Sequence, residues 1–92
     1  EDEYDTIDHY EKKINSNSFE FSARLEIDYL IRKYKFDLPQ DENYETLGGL
    51  IFHLTGEIPK KGKVLSVNDL ELKVVSVLSN KIEKVAVKKL SD

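Results

Sequence analysis

Tyr44-Glu45-Thr46-Leu47-Gly48-Gly49-Leu50-Ile51-Phe52-His53-Leu54-Thr55-Gly56-Glu57-Ile58-Pro59 is the stretch on which the fold turns. Tyr44, Leu47, Leu50, Ile51 and Leu54 recur at the three- and four-residue spacing that puts side chains on one helix face. The spacing predicts a helix opened by Asp41-Glu42-Asn43, with Asn43 or Asp41 as its N-cap. Gly56 closes it in the left-handed conformation, and Pro59 follows. Within that helix the pair Gly48-Gly49 demands a reason, because each glycine costs roughly 1 kcal/mol relative to Ala in a helix interior. Close packing of the backbone on a neighbouring element supplies one. A phosphate-cradling loop is the other reading, but it needs glycines ahead of the helix and usually a Lys after them. Here the pair sits inside the helical pattern and no Lys follows.

Upstream, Ile27, Leu30, Ile31 and Tyr34 stand at i, i+3, i+4 and i+7, an amphipathic helix of about two turns. Arg32, Lys33 and Lys35 fall in its last turn, where the helix dipole favours cations. Phe36-Asp37-Leu38-Pro39 is expected to end it, since the residue before proline resists the α region. Further back, Phe19, Phe21, Ala23 and Leu25 alternate with Glu20, Ser22 and Arg24, the pattern of a half-buried strand. Asn15-Ser16-Asn17-Ser18 is a cluster of turn formers, so residues 10–25 read as a hairpin whose first strand is poorly marked.

Downstream, Pro59-Lys60-Lys61-Gly62 is turn chemistry, followed by a short strand over Lys63–Val67. Asn68-Asp69 suits a two-residue hairpin connection that needs positive φ. Leu70, Leu72 and Val74 share a face, and then Val75 and Val77 take over, which predicts a bulge near Val74-Val75. Ser79-Asn80-Lys81 turns the chain into a last strand carrying Val85 and Val87. Two strands, two helices and three strands predict an α+β fold, an antiparallel sheet with two helices packed on one face.

Length and composition exclude several classes of function. Ninety-two residues make one domain with one two-layer core, too small for a large internal chamber. The absence of Cys removes disulfides, thiol catalysis and Cys-ligated zinc. There is no Met, position 1 included, so a piece of a longer protein is expected. The net charge of −4 is unevenly spread: residues 1–26 carry eight acids and three bases, residues 56–92 five acids and eight bases. All nine aromatics lie at or before Phe52, so the Lys-rich third has no ring on which a base could stack. Nucleic acid is therefore not an expected partner. No apolar run reaches the ~20 residues that cross a bilayer, and no signal peptide is expected. The chain can still belong to a membrane protein whose spanning segments lie elsewhere.

No catalytic centre emerges either. His9 and His53 are 44 positions apart, without metal-ligand spacing, and no metal site is expected. His53 reads as a boundary residue at a helix end. Glu26 with Asp28, and Glu42 with Glu45, are carboxylate pairs on polar helix faces, where solvated charge is the ordinary condition. Residues 1–8 hold five acids and read as a linker; as a site for a hard cation they lack the glycine-punctuated spacing of a calcium loop.

Several of these motifs, in order, resemble one family. Tyr44-Glu45-Thr46-Leu47-Gly48-Gly49-Leu50, then Leu54-Thr55-Gly56-Glu57-Ile58-Pro59-Lys60-Lys61-Gly62, resembles the signature of the C-terminal transporter-associated domain of CorC/HlyC proteins, haemolysin-like proteins linked to magnesium and cobalt efflux. Arg24-Leu25-Glu26-Ile27-Asp28, Leu38-Pro39 and Lys81-Ile82-Glu83-Lys84-Val85-Ala86-Val87 are similar to its helix entry, linker and closing strand. Asp2-Glu3-Tyr4-Asp5 resembles the acidic hinge that leaves a preceding pair of CBS modules. Lys81 in place of the usual Arg, Thr55 in place of Leu and a hairpin turn without Gly are the departures. Lys at position 81 loses a planar, bidentate donor.

The resemblance implies an acidic linker over 1–8 and a transporter-associated domain over 9–92. It implies a non-catalytic accessory domain on the cytoplasmic face of the cell membrane. The partners it implies are the CBS pair and membrane domain of the parent chain, with a homodimer formed through the parent. The implied fold is similar to part of the PCMH-type FAD-binding fold, which makes FAD or an adenine nucleotide the first candidates for an alternative, small-ligand role. No cofactor is expected from the residues themselves, since there is no dinucleotide fingerprint. For electrostatic docking the candidates are Arg24, Lys60, Lys61, Lys63, Lys81 and Lys84, with Lys73 and Lys88 on the same Lys-rich face. A merely solvated sheet face is the competing reading.

Overall fold

The computed structural model describes residues 9–90. The acidic linker expected over 1–8, and with it the hard-cation reading, lies outside the described residues, as do Ser91 and Asp92. The chain runs β1 (Glu11–Asn15), β2 (Ser18–Ser22), α1 (Ile27–Tyr34), α2 (Leu47–Thr55), β3 (Val64–Val67), β4 (Leu70–Leu78) and β5 (Lys81–Lys89). All strands are antiparallel in one sheet of order β1-β2-β5-β4-β3. The helical pair carries the chain from β2, inside the sheet, to β3 on its far edge. This is the α+β fold expected from the residue pattern.

Register explains why only one sheet face is apolar. Phe19 lies opposite Val87, which lies opposite Leu72, and Phe21, Val85 and Val74 form the next row. Every member of these two rows is buried. They pack with Ile27 and Leu30 of α1 and Leu47, Leu50 and Ile51 of α2 into one core. Phe19, Phe21, Tyr34 and Phe36 form a ring cluster, with Phe19 and Tyr34 centroids 4.9 Å apart. On the opposite face Lys12 faces Glu20 and Glu71 faces Lys88 across the strands. Opposite charges in register suit a face turned to water.

Turns follow the residues that tolerate left-handed backbone. Ser79 and Asn80 both have positive φ (53° and 63°), and they join β4 to β5. Asn68 (φ 54°) joins β3 to β4 as expected. The pairing of β4 with β5 steps from Val74 to Ser76 and leaves Val75 out, the bulge that the phase switch predicts.

Three boundaries and two burial assignments differ from expectation. β2 stops at Ser22 rather than Leu25, because residues 23–25 turn away to meet α2. Ser22, placed on the polar side by alternation, is fully buried. α1 ends at Tyr34, ahead of the Phe36–Pro39 segment, and is capped by Lys35 in the left-handed region (φ 61°), whose amide donates to the Ile31 carbonyl at 2.8 Å. α2 begins at Leu47, with Thr46 as its N-cap in place of Asn43 or Asp41. Asp41 to Tyr44 instead closes a small turn of its own. Tyr44 therefore precedes the helix, and Leu54, expected in the buried stripe, is 48% exposed.

Candidate functional site

The later start of α2 changes the meaning of Gly48 and Gly49. They lie in the first turn, where helix amides lack intrahelical partners. Three such amides are satisfied from outside the helix ladder. Leu47 donates to the Leu25 carbonyl at 3.0 Å, and Gly48 donates to the Ala23 carbonyl at 2.8 Å. Gly49 donates to Thr46 Oγ1 at 3.1 Å. A Cβ built on Gly48 would lie 2.9 Å from Ala23 Cβ and 3.2 Å from the Ala23 carbonyl oxygen. Gly48 is therefore needed for a joint at backbone contact between the 23–25 turn and the helix. Gly49 has the same character with less pressure, 3.1 Å from Tyr44 Cβ. The close-packing reading of the pair fits this geometry. The phosphate-loop reading does not, because the amides that would face an anion are taken.

A second joint, absent from the sequence reading, ties the edge strand to α1. The Glu11 carboxylate accepts from Tyr29 at 2.7 Å, from Lys33 Nζ at 2.7 Å and from the Tyr34 hydroxyl. Burial opposes ionisation of Glu11. Hydrogen bonds from Lys33, Tyr34 and Tyr29 outweigh that effect and hold its pKa below the usual carboxylate value. Burial raises the Tyr34 phenol, and its bond to Glu11 adds to this, taking it up to about 12. The residues are 18 to 23 positions apart, so no local spacing could reveal them.

The docking candidates divide into groups. Lys60, Lys61 and Lys63 cluster in the connection from α2 to β3, beside Leu54, Ile58 and Pro59. Lys81 follows the β4–β5 turn, and with Arg24 it borders an open groove of about 530 Å³. That groove is also lined by Gly48, Phe52, Ile58 and Ile82. Lys84 is half-buried, its Nζ 4.5 Å from the centre of the Tyr10 ring, so it is engaged within the fold. Lys73 and Lys88 lie on the uncovered sheet face. Arg24 has an interaction partner of its own. Gly56 (φ 76°) and Gly62 (φ 94°) sit in open space and serve as turn formers. Pro59 is buried and Ile58 is 39% exposed.

The carboxylate pairs show solvated geometry: Asp28 bonds Arg32 one helical turn away at 3.0 Å, with both side chains more than half exposed. Glu42 and Glu45 are exposed in the turn before α2, not on a helix face. His53 is exposed, its ring 5.2 Å from that of Tyr44. Among the described residues no group of three or more His, Asp or Glu could hold a metal ion. Among them, too, no helix is long and apolar enough to cross a membrane.

The class of fold is thus a small antiparallel sheet with two helices on one face, joined at a glycine pair. Residues 12–91 match the model of the CorC_HlyC transporter-associated domain, and the chain belongs to that family. It is 31% identical over 90 residues to Hemolysin C of Brachyspira hyodysenteriae, covering 97% of this chain and 33% of that protein. The chain thus spans about a third of the length of this curated relative. A CorC_HlyC transporter-associated domain from Nitrosomonas europaea is similar in structure (TM-score 0.77, 28% identity, covering 86% of this chain and 94% of that one). So is a region described as associated with an Mg2+ and Co2+ transporter, CorC, of Neisseria meningitidis (TM-score 0.78, 18% identity, covering 86% and 96%).

Proposed function

We propose that this chain is a non-catalytic accessory domain of a haemolysin-like membrane protein linked to magnesium and cobalt efflux. It works at the cytoplasmic face by docking onto its neighbours in the parent chain, the membrane domain and a CBS pair. The observation that carries the reading is the C-terminal end of α2. There, half-exposed Phe52 and Leu54 sit beside Ile58 and a set of lysines, in a domain of the transporter-associated family. Exposed apolar groups rimmed by charge mark contact surfaces. Docking biases transport only if the contact differs between two arrangements of the parent.

The test removes residues 9–92 from the parent protein and follows Mg2+ and Co2+ efflux from loaded cells. The expected result is altered efflux at unchanged membrane abundance. Unaltered efflux, with an unaltered response to ligands of the CBS pair, contradicts the reading.

A further inference from the structure

The geometry points to an acidic peptide segment with an apolar anchor as the occupant of the surface around Ile58 at the C-terminal end of α2. This rests on the docking role proposed above and names the chemistry of what docks. Ile58 stands between two depressions. One, of about 530 Å³, runs past Phe52 and Ile82 to Lys81. The other, of about 620 Å³, runs past Leu54, Pro59 and Leu65 to Lys60, Lys61 and Lys63. Together they form an apolar ridge with a cationic shoulder on each side.

Three observations select the occupant. The first is charge. The groove at Lys81 contains no carboxylate, and the one at Lys60 and Lys61 contains only Glu57. The ammonium groups of Lys60, Lys61, Lys63 and Lys81 have no partner among the described residues. The Lys33 ammonium, by contrast, is bonded to Glu11. The second is apolarity: Phe52, Leu54 and Ile58 are 48%, 48% and 39% exposed, on a nine-residue helix whose only ionisable side chain is His53. Apolar side chains left this exposed at one end of a helix mark a contact surface. The third is shape. Both depressions are concave, so they suit inserted side chains better than the plane of a lipid surface. An extended or helical segment with Leu, Ile or Phe between Asp and Glu meets all three conditions.

The experiment selects dodecapeptides from a random display library on the immobilised chain, then titrates the winners against the ¹⁵N-labelled chain. The expected winners combine Asp or Glu with Leu, Ile or Phe. They shift the amides of Gly48, Phe52, Ile58 and Lys81, and bind at least about tenfold more weakly when salt rises from 50 to 500 mM. Lys81→Glu and Ile58→Ser each weaken binding at least about fivefold while the melting temperature stays put. Winners that are basic or uncharged, shifts confined to the uncovered sheet face, or no enrichment at all would overturn the inference. So would binding to phosphatidylserine-containing vesicles that survives Ile58→Ser, or self-association of the chain through the surface around Ile58. Failure here with altered efflux on domain removal leaves the accessory role standing and discards only this occupant. Acidic winners with unaltered efflux do the reverse.

Discussion

The two helices of this domain are nearly equal in length and opposite in construction. α1 is amphipathic: Ile27 and Leu30 are buried, and Asp28, Arg32 and Lys33 face water, the first two as an i,i+4 pair. α2 buries Leu47, Leu50 and Ile51 completely, yet leaves Phe52 and Leu54 of its last turn half exposed. They also begin differently. α1 has no side-chain cap, and its Ile27 amide donates to the Glu45 carbonyl at 2.9 Å. α2 has Thr46 and the carbonyls of Ala23 and Leu25. The contrast teaches that α1 is complete within this fold, whereas α2 has an inner flank that builds the domain and a C-terminal end that the domain leaves half exposed. Amphipathicity is what a helix shows when water is its only other neighbour.

The largest effect that would break the comparison comes from the inner flank. Leu50→Ala is expected to cost about 2–5 kcal/mol, because a fully buried side chain leaves a cavity behind. Denaturant melts of the isolated chain read this directly, and a loss below about 1 kcal/mol would mean the inner flank is not core.

Next comes the tie that finishes α1. Glu11→Gln is expected to cost about 1–2 kcal/mol at pH 7, where the native carboxylate accepts a charge-assisted bond from Lys33. The folded carboxylate has a lowered pKa, so its contribution is present above the unfolded value near ~4.3 and is lost as pH falls through the folded value. The deficit of the variant should therefore shrink in acid, as stability curves from pH 7 to pH 2 would show. Tyr34 acts in the other direction. Its pKa is raised, so its contribution is complete below about 10 and fades as pH climbs through about 12.

The smallest effect sharpens the contrast most. Phe52→Ser with Ile58→Ser is expected to change stability by no more than about 0.5 kcal/mol per site, the range of surface substitutions away from structural features. Thermal unfolding checks it. A loss of several kcal/mol would place both residues in the core and remove the C-terminal end of α2 as a contact surface.

How much of this was legible depends on whether the signal is local. The α1 stripe is written at i, i+3, i+4 and i+7, and the bulge in the change of phase after Val74, so both could be read directly. The N-cap of α2 could not. Asp41, Asn43 and Thr46 are all good caps, and Tyr44 extends the apolar spacing by a turn. What decides among them is the Ala23 carbonyl, 25 positions upstream, which binds the Gly48 amide. The Glu11 tie was hidden for the same reason, since its partners lie across the fold. Of the site, the lysines were visible as a set. Their division into Lys84 engaged with Tyr10, Lys81 at one shoulder and Lys60, Lys61 and Lys63 at the other needs tertiary structure. Phe52, Leu54 and Ile58 were read as helix and turn residues, and only their exposure shows that they form a ridge.

The first turn of α2 is locked to the 23–25 turn by backbone contact, which leaves the C-terminal end of the helix open to partners. The most direct measurement is a stability cycle on Gly48→Ala and Ala23→Gly by urea unfolding. The account predicts that Gly48→Ala costs about 1–3 kcal/mol through overpacking, and that adding Ala23→Gly recovers part of the loss. A Gly48→Ala variant as stable as the parent sequence, or more stable as helix propensity alone would make it, would contradict it.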